Sequence, residues 1–191
     1  MENELDAYIG VINRFVAYHG HRAVKATQHD LSRAYPFIAM DTRQVFEQIS
    51  FVHSYLGMEE AAPGARFRFL DVGCGIGNVL LIAEQYGFDV YGLEKDEYPC
   101  QLARELIGRD RIWKADAWKF DRYDTFEVVY FFRLLPDAEP QARLERMIEE
   151  KIKPGAILIA NYRLGTSVEE DPRFTRLHDR HPIWLKQEDK L

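Results

Sequence analysis

The chain has 191 residues, a length typical of one domain with an appendage. Hydrophobic residues make up 47% and charged residues 29%, which is close to the averages of folded domains and far from a disordered composition. A formal net charge of −6 argues against strong non-specific binding to a polyanion, because Lys and Arg supply that affinity. The two cysteines, Cys74 and Cys100, are too few for a disulfide framework or a zinc site. We therefore expect reduced thiols in a cytoplasmic protein, and no bound metal.

The sequence contains no segment that predicts membrane insertion or export. Its apolar runs are all well below the ~18 to 20 residues that a membrane span needs. The N-terminus, MENELDAYIG, lacks the basic start and apolar stretch of a signal peptide. We expect neither a transmembrane helix nor a signal peptide.

The first 60 residues predict two helices. Apolar residues recur at helical spacing from Leu5 to Val16, which predicts a helix over about residues 2–18. A second helix is expected to begin near Asp41, with Gln44 completing a capping box, and to end at Gly57. The turn-prone stretch between them, ATQHDLSRAYPF, predicts irregular structure or a short helix. We expect residues 1–60 to form a helical extension that covers the ligand cleft of a domain formed by residues 61–191.

From residue 66 onward, short apolar strands alternate with helical segments. Strands are predicted at 66–73, 89–94, 111–116, 126–132 and 155–162, and helices at 77–87, 98–108 and 140–152. This alternation predicts a doubly wound α/β domain, with a mostly parallel sheet and helices on both faces. Two later segments, 173–179 and 181–187, predict a closing pair of edge strands.

The stretch FLDVGCGIGN, residues 69–78, predicts a ligand site. In an open α/β sheet, ligands bind beyond the carboxyl ends of the strands, and Gly73, Gly75 and Gly77 fall there. Their missing side chains let a ligand approach the backbone closely. The dinucleotide fingerprint G-x-G-x-x-G ends on a glycine where this chain has Asn78. The glycines alone therefore indicate a nucleotide-like ligand without identifying it.

Asp71 separates the candidate ligands. A dinucleotide brings a pyrophosphate to the helix N-terminus, and a carboxylate two residues before the first glycine would repel it. S-adenosylmethionine carries an ammonium and a sulfonium, which a nearby carboxylate stabilises. The pattern therefore favours the methyl donor.

Two further acids follow the next two strands. Glu94 suits both hydroxyls of a ribose, but NAD enzymes also place an acid there, so Glu94 predicts a ribose and does not discriminate. Asp116 suits the adenine amino group, with the backbone N–H of Ala117 meeting a ring nitrogen, although an isolated acid in that place is commonly a helix cap. Lys95, next to Glu94, is included in the predicted cofactor site.

In order along the chain, FLDVGCGIGN, VYGLEKD, KADAW, YDTFEVVYFF and IKPGAILIANY resemble the motifs of class I S-adenosylmethionine-dependent methyltransferases. The resemblance covers roughly residues 66–162. It implies a seven-stranded Rossmann-like sheet, with Asp71 and the glycines at the methionyl group, Glu94 on the ribose and Asp116 at the adenine. The product cofactor would be S-adenosylhomocysteine. Two departures are Glu127, where many members have Asp, and a shorter region after the fifth strand.

The fourth strand bears on the methyl acceptor. It reads VVYFFRLLP and lacks the N/D-P-P-Y/F tetrad of methyltransferases that modify nucleic acid amino groups, so we expect a small-molecule or protein acceptor and no nucleic acid. Tyr130 is expected to line the methyl end of the donor, and Arg133 to reach an acidic substrate. The stretches DAWKFDRYDTFEVVYFF and IKPGAILIANYRLG also resemble small methyltransferases that modify protein lysines. The sequence identifies no catalytic base and no oligomeric state.

Two other functions stay open at this point. A catalytically silent module would keep the donor site and use its N-terminal helices to contact a protein partner. The interpretation as a nicotinamide-dependent oxidoreductase is supported by the glycines and Glu94 alone.

Overall fold

The computed structural model describes residues 2–27, 36–62 and 64–188. The predicted irregular segment between the first two helices therefore lies mostly outside the described residues. The helices are α1 (Glu2–Ala26), α2 (Thr42–Tyr55), α3 (Asn78–Gln85), α4 (Glu97–Ile107), α5 (Ala138–Lys151) and α6 (Ser167–Glu170). The strands are β1 (Arg68–Val72), β2 (Asp89–Glu94), β3 (Ile112–Lys114), β4 (Val128–Phe132), β5 (Ile157–Asn161), β6 (Phe174–Arg176) and β7 (Ile183–Lys186).

The seven strands form one sheet in the order β3-β2-β1-β4-β5-β7-β6. Strands β1 to β5 are parallel, whereas β7 runs antiparallel to both β5 and β6. The order reverses at β1, so the cleft between the connections that leave β1 and β4 is where a ligand is expected. The predicted Rossmann-like sheet and its closing pair of edge strands are confirmed.

The two N-terminal helices form for reasons visible in the sequence. In α2, the side chain of Asp41 caps the helix as predicted, because it accepts from the backbone N–H of Gln44 at 2.8 Å, and Val45, Ile49 and Val52 are completely buried. The returning bond of the predicted capping box, from the Gln44 side chain, is not among the bonds of the described residues, and the helix ends at Tyr55 rather than at Gly57. Helix α1 runs eight residues beyond the predicted end, to Ala26; it continues through Gly20, and no proline interrupts it.

Two apolar cores lie on opposite faces of the sheet. One core joins Phe69, Val128 and Ile157 to helices α1, α2, α3 and α4. The other joins the alternate residues Leu70 and Val129 to helix α5 and to the loop before β4. Since successive side chains of a strand point to opposite faces, Asp71 lies on the face of Phe69, which the N-terminal helices cover. Among the described residues, no helix combines the length and apolar character needed to span a membrane.

A buried lysine joins the end of the sheet to helix α5. Lys186, at the end of β7, is 5% exposed, and its Nζ donates to the carbonyl oxygens of Glu149, Glu150 and Ile152 at 2.8 to 3.0 Å. These carbonyls lie at the C-terminal end of α5, where helix carbonyls lack partners within the helix and where positive charge is favourable. The lysine therefore fixes α5 against the sheet edge.

Replacing Lys186 by Met is expected to lower the free energy of unfolding by about 2 to 3 kcal/mol, because buried carbonyls lose their donor. Lys114→Met is the matched control, since it removes only a half-exposed ion pair with Glu97 and should cost less than about 1 kcal/mol. Urea unfolding measures both variants. Equal losses in the two variants would show that Lys186 does not cap α5.

Candidate functional site

A cavity of about 420 Å³ lies at the carboxyl ends of the central strands. This volume is within the range of ~300 to 1,000 Å³ that is usual for small-molecule sites. The structure brings ten of the eleven predicted site residues into the cavity lining, namely Asp71, Gly73, Gly75, Asn78, Glu94, Lys95, Asp116, Ala117, Tyr130 and Arg133. The eleventh, Gly77, precedes α3 with a φ of +85° and is not part of the lining, so its predicted cofactor contact stays a prediction.

The glycine turn leaves no room for side chains. A Cβ atom on Gly75 would lie 2.3 Å from the ring of Phe37, and one on Gly73 would lie 2.4 Å from Cδ2 of Leu134. Both glycines also have positive φ, at +54° and +77°, which L side chains rarely adopt. The glycines are therefore needed both for the backbone of the turn and for the close approach of Phe37 and Leu134.

Asp71 is a buried acid at the end of β1. Its side chain is 2% exposed, and among the described residues none donates a hydrogen bond to it. Burial raises the pKa of the Asp71 carboxyl well above its ordinary value, and the negative charge of Glu94 adds to the rise. A cation bound in the cavity would lower this pKa, because a nearby positive charge favours the charged form of the acid.

Glu94 fixes the glycine turn to the second strand. Its Oε2 accepts from the backbone N–H of Gly75 at 2.9 Å, and its Oε1 accepts from Lys95 and Asp96 at 2.8 Å each. Burial raises the pKa of Glu94, while these backbone donors oppose the rise. Because a carboxylate offers about four acceptor positions, the three bonds leave room for one more donor, such as a hydroxyl.

Asp116 does two things at the end of β3. Its Oδ1 accepts from the backbone N–H of Trp118 at 3.0 Å and so caps a short 3-10 helix, Ala117–Lys119. The residue also lines the cavity, as do Ala117 and Lys95. Both interpretations of Asp116, the helix cap and a residue of the ligand site, therefore fit this geometry.

Tyr130, which is predicted at the methyl end of the donor, lies on β4, and Arg133, which is predicted for the acceptor, lies just after it. Burial raises the pKa of Tyr130 well above its ordinary value, with the Asp71 charge adding to the rise and Asn161 opposing it. The Tyr130 hydroxyl is therefore protonated at neutral pH. Arg133 is half-buried, and its Nη2 donates to the carbonyl of Pro136 at 3.0 Å.

Sequence reasoning missed the apolar residues that cover the turn. Phe37 and Ile38, from the segment before α2, line the cavity together with Leu134 and Leu135. The backbone N–H groups of Leu134 and Leu135 both donate to Oε1 of Gln141 in α5, at 3.0 and 2.8 Å. The available signal was the apolar LLP after β4, since apolar residues in a loop at the ligand end of a sheet suggest a pocket wall.

The raised pKa of Asp71 has a consequence for stability. Because the folded chain binds this proton more tightly than the unfolded chain, the acid lowers stability above its unfolded pKa of ~3.9, increasingly so until the folded pKa is passed. Asp71→Asn should therefore stabilise the ligand-free protein at neutral pH by more than about 1 kcal/mol, roughly one pKa unit. The gain should shrink as the pH falls towards ~4.

Urea unfolding at several pH values measures this gain, with the exposed Asp121→Asn as a control that should change stability by less than about 0.5 kcal/mol. An Asp71→Asn variant that is less stable at neutral pH would contradict a raised pKa.

The chain is similar to solved methyltransferase structures. It aligns with an RNA methyltransferase from Salinibacter ruber in complex with S-adenosyl-L-homocysteine at a TM-score of 0.53 and 16% identity, covering 82% of this chain and 96% of that one. A sugar N-methyltransferase, KedS8 from Streptoalloteichus, gives a TM-score of 0.48 and 25% identity over 63% of this chain and 48% of that one. DesVI from Streptomyces venezuelae gives a TM-score of 0.47 and 22% identity, covering 61% of this chain and 50% of that one. The chain thus spans about half the length of the last two proteins.

At these values the likeness to the Salinibacter protein concerns the fold, and none of the three identifies the acceptor of this chain. No curated protein matches the sequence. The family described as "Methyltransferase domain" matches residues 40–187, which is most of the chain. The chain therefore belongs to the methyltransferase domain family, and the predicted family is confirmed.

Proposed function

We propose that this cavity binds S-adenosylmethionine and that the chain transfers the methyl group of this donor to a small molecule or a protein side chain. The observation that carries the proposal is the buried carboxylate of Asp71, which lines the cavity and receives no hydrogen bond from the described residues. A buried charge of this kind is costly unless a cation pairs with it. The ammonium of the methionyl group is such a cation, whereas the pyrophosphate of NAD would add repulsion.

The glycine turn supports the same orientation of the donor. Gly73 and Gly75 line the cavity, and α3 begins at Asn78 with unpaired backbone N–H groups and the positive end of its dipole. The methionyl carboxylate would lie near this helix end while the ammonium faces Asp71. The two charges of the methionyl group would thus each lie near an opposite charge, the ammonium near Asp71 and the carboxylate near the N-terminus of α3.

The other acids support the nucleoside half. Glu94 has acceptor capacity left for a ribose hydroxyl, and its bond to Gly75 links the ribose side to the methionyl side. Asp116 retains Oδ2 for the adenine amino group, since Oδ1 caps the next helix. Ala117 supplies the adjoining wall, and Lys95 lines the cavity beside Glu94.

When bound, S-adenosylmethionine supplies a methyl group on a sulfonium, which is already an excellent leaving group. The residues of the chain have to hold the acceptor in line with that group and exclude water. Phe37, Leu134 and Leu135 make the cover of the cavity apolar, which serves the second need. Tyr130 remains a neutral hydroxyl, so it shapes the methyl end of the cavity without removing a proton.

Arg133 is the positively charged residue that the sequence predicts for the methyl acceptor. Arg133 lines the cavity, and its charge supports an acceptor with an acidic group. The chain's net charge of −6 and the missing tetrad after β4 support a small-molecule or protein acceptor over a nucleic acid.

We also propose that residues 1–60 act as a cover for the domain formed by residues 61–191. Two contacts support this role: Phe37 lies against Gly75, and Thr27 Oγ1 donates to Asp96 Oδ2 at 3.3 Å beside the ribose position. Both cysteines are buried and free, which supports a reducing compartment and hence a cytoplasmic location.

Calorimetry with S-adenosylmethionine and S-adenosylhomocysteine tests the donor site. The wild-type protein should bind both in the micromolar range, and Asp71→Asn should weaken S-adenosylmethionine binding by about 10- to 100-fold, the value of a charge-assisted hydrogen bond. Glu94→Gln should weaken binding at least as much, because its amide nitrogen would face backbone N–H donors.

Asp89→Asn is the matched control. Asp89 lies at the amino end of the strand that Glu94 ends, away from the cavity, and pairs there with Arg111. It should leave both affinities unchanged. A folded wild-type protein that gives no heat with either ligand, or that prefers NAD, would refute the proposal.

A further inference from the structure

Tyr162 has a backbone conformation that bulky residues rarely adopt. It directly follows β5 and has a φ of +52°, and among the described residues it is the one non-glycine residue with positive φ. Its side chain is nevertheless 65% exposed. Such conformations persist where the surrounding structure imposes them, and they concentrate at ligand sites.

The residue before Tyr162 is fixed by helix α2. Asn161 is buried at the end of β5, where its Oδ1 accepts from Gln48 Nε2 at 2.7 Å and its Nδ2 donates to Gln48 Oε1 at 3.2 Å. Both side chains are almost fully buried, so this pair holds the end of the strand in place.

The residues after Tyr162 are fixed by helix α5. The backbone N–H groups of Leu164 and Gly165 donate to the two oxygens of buried Glu145 at 3.0 and 2.8 Å. Arg163 turns inward and donates to buried Glu149 at 2.9 Å, leaving its side chain only 5% exposed. With both neighbours held by buried groups, Tyr162 takes up the left-handed conformation and its ring stays outside.

The exposed ring of Tyr162 packs against a side chain of the cavity wall. Its centroid lies 5.4 Å from that of Phe132 at an interplanar angle of 89°, and Phe132 lines the cavity. The inward turn of Arg163 removes its charge from this area, and Leu164 beyond it is 40% exposed. The mouth of the cavity beside β4 and β5 therefore carries aromatic and apolar side chains next to the charge of Arg133.

We propose that Tyr162 is a specificity-determining residue that holds a planar aromatic methyl acceptor against the mouth of the cavity. This inference rests on the proposed function, because the donor must occupy the cavity for an acceptor to lie at its mouth. The cavity volume of about 420 Å³ is near the lower end of the usual range for one small ligand, so the body of the acceptor lies outside it. An exposed aromatic face is the surface on which a flat ring stacks.

The test uses 2-naphthol as a planar phenol probe, titrated by calorimetry into the full chain saturated with S-adenosylhomocysteine. The variants are Tyr162→Asn and Tyr162→Phe, since Asn tolerates the left-handed conformation and Phe keeps the ring. Tyr55→Asn is the control, because Tyr55 is another exposed tyrosine, at the end of α2. A separate titration of S-adenosylhomocysteine reports on the donor site, so failure of the proposed function is seen independently.

We expect Tyr162→Asn to weaken 2-naphthol binding by about two- to tenfold, the range that one aromatic contact is worth, while Tyr162→Phe and Tyr55→Asn retain it. All variants should bind S-adenosylhomocysteine like the wild type, and Tyr162→Asn should melt no lower. The proposal is overturned if 2-naphthol fails to bind the saturated protein or binds Tyr162→Asn equally well. It is also overturned if Tyr162→Asn loses affinity for S-adenosylhomocysteine to the same extent, since the role of Tyr162 would then be structural.

Discussion

The buried carboxylate of Asp71, at the end of the central strand β1, is the constraint on which the site depends. The sheet places it between Gly92 and Tyr130, and Glu94 ends the adjacent strand, so two acids lie close together in the buried wall of the cavity. Burial raises the pKa of both groups, and the negative charge of Glu94 adds to the rise at Asp71, which is a cost to the folded, ligand-free chain. The two buried acids therefore lower the free energy of unfolding of the ligand-free chain, and a bound cationic ligand would restore this stability.

The walls of the site are held by a polar row on helix α5. Gln141 accepts hydrogen bonds from backbone N–H groups of the loop after β4, and Glu145 accepts them from the loop after β5. Gln141 Nε2 donates to Glu145 Oε1 at 2.8 Å, so the two loops are joined through two side chains one helical turn apart. These groups are fully buried, and buried hydrogen bonds of this kind fix one conformation. The donor side and the mouth of the cavity therefore share one rigid support.

Much of this architecture could be predicted because it depends on short-range patterns. The alternation of strands and helices gives the sheet, Asp41 with Gln44 gives the start of α2, and the order of acids and glycines gives the donor side. The contact of Phe37 with Gly75 could not be predicted, since it joins distant segments and depends on how α1 packs. The row on α5 could not be predicted either. Glu145 and Glu149 lie four residues apart, the spacing of a solvated helix face, and only the two loops packed over them make them buried. The outward ring of Tyr162 follows from these same long-range bonds.

The most direct test of the account is an NMR titration of the Asp71 carboxyl carbon in the free protein and in the complex with S-adenosylmethionine. The account predicts a pKa well above the ordinary ~3.9 in the free protein, which falls when the ligand binds because a cation favours the charged form. A pKa in the ordinary range without ligand, or one that S-adenosylmethionine leaves unchanged, would contradict it.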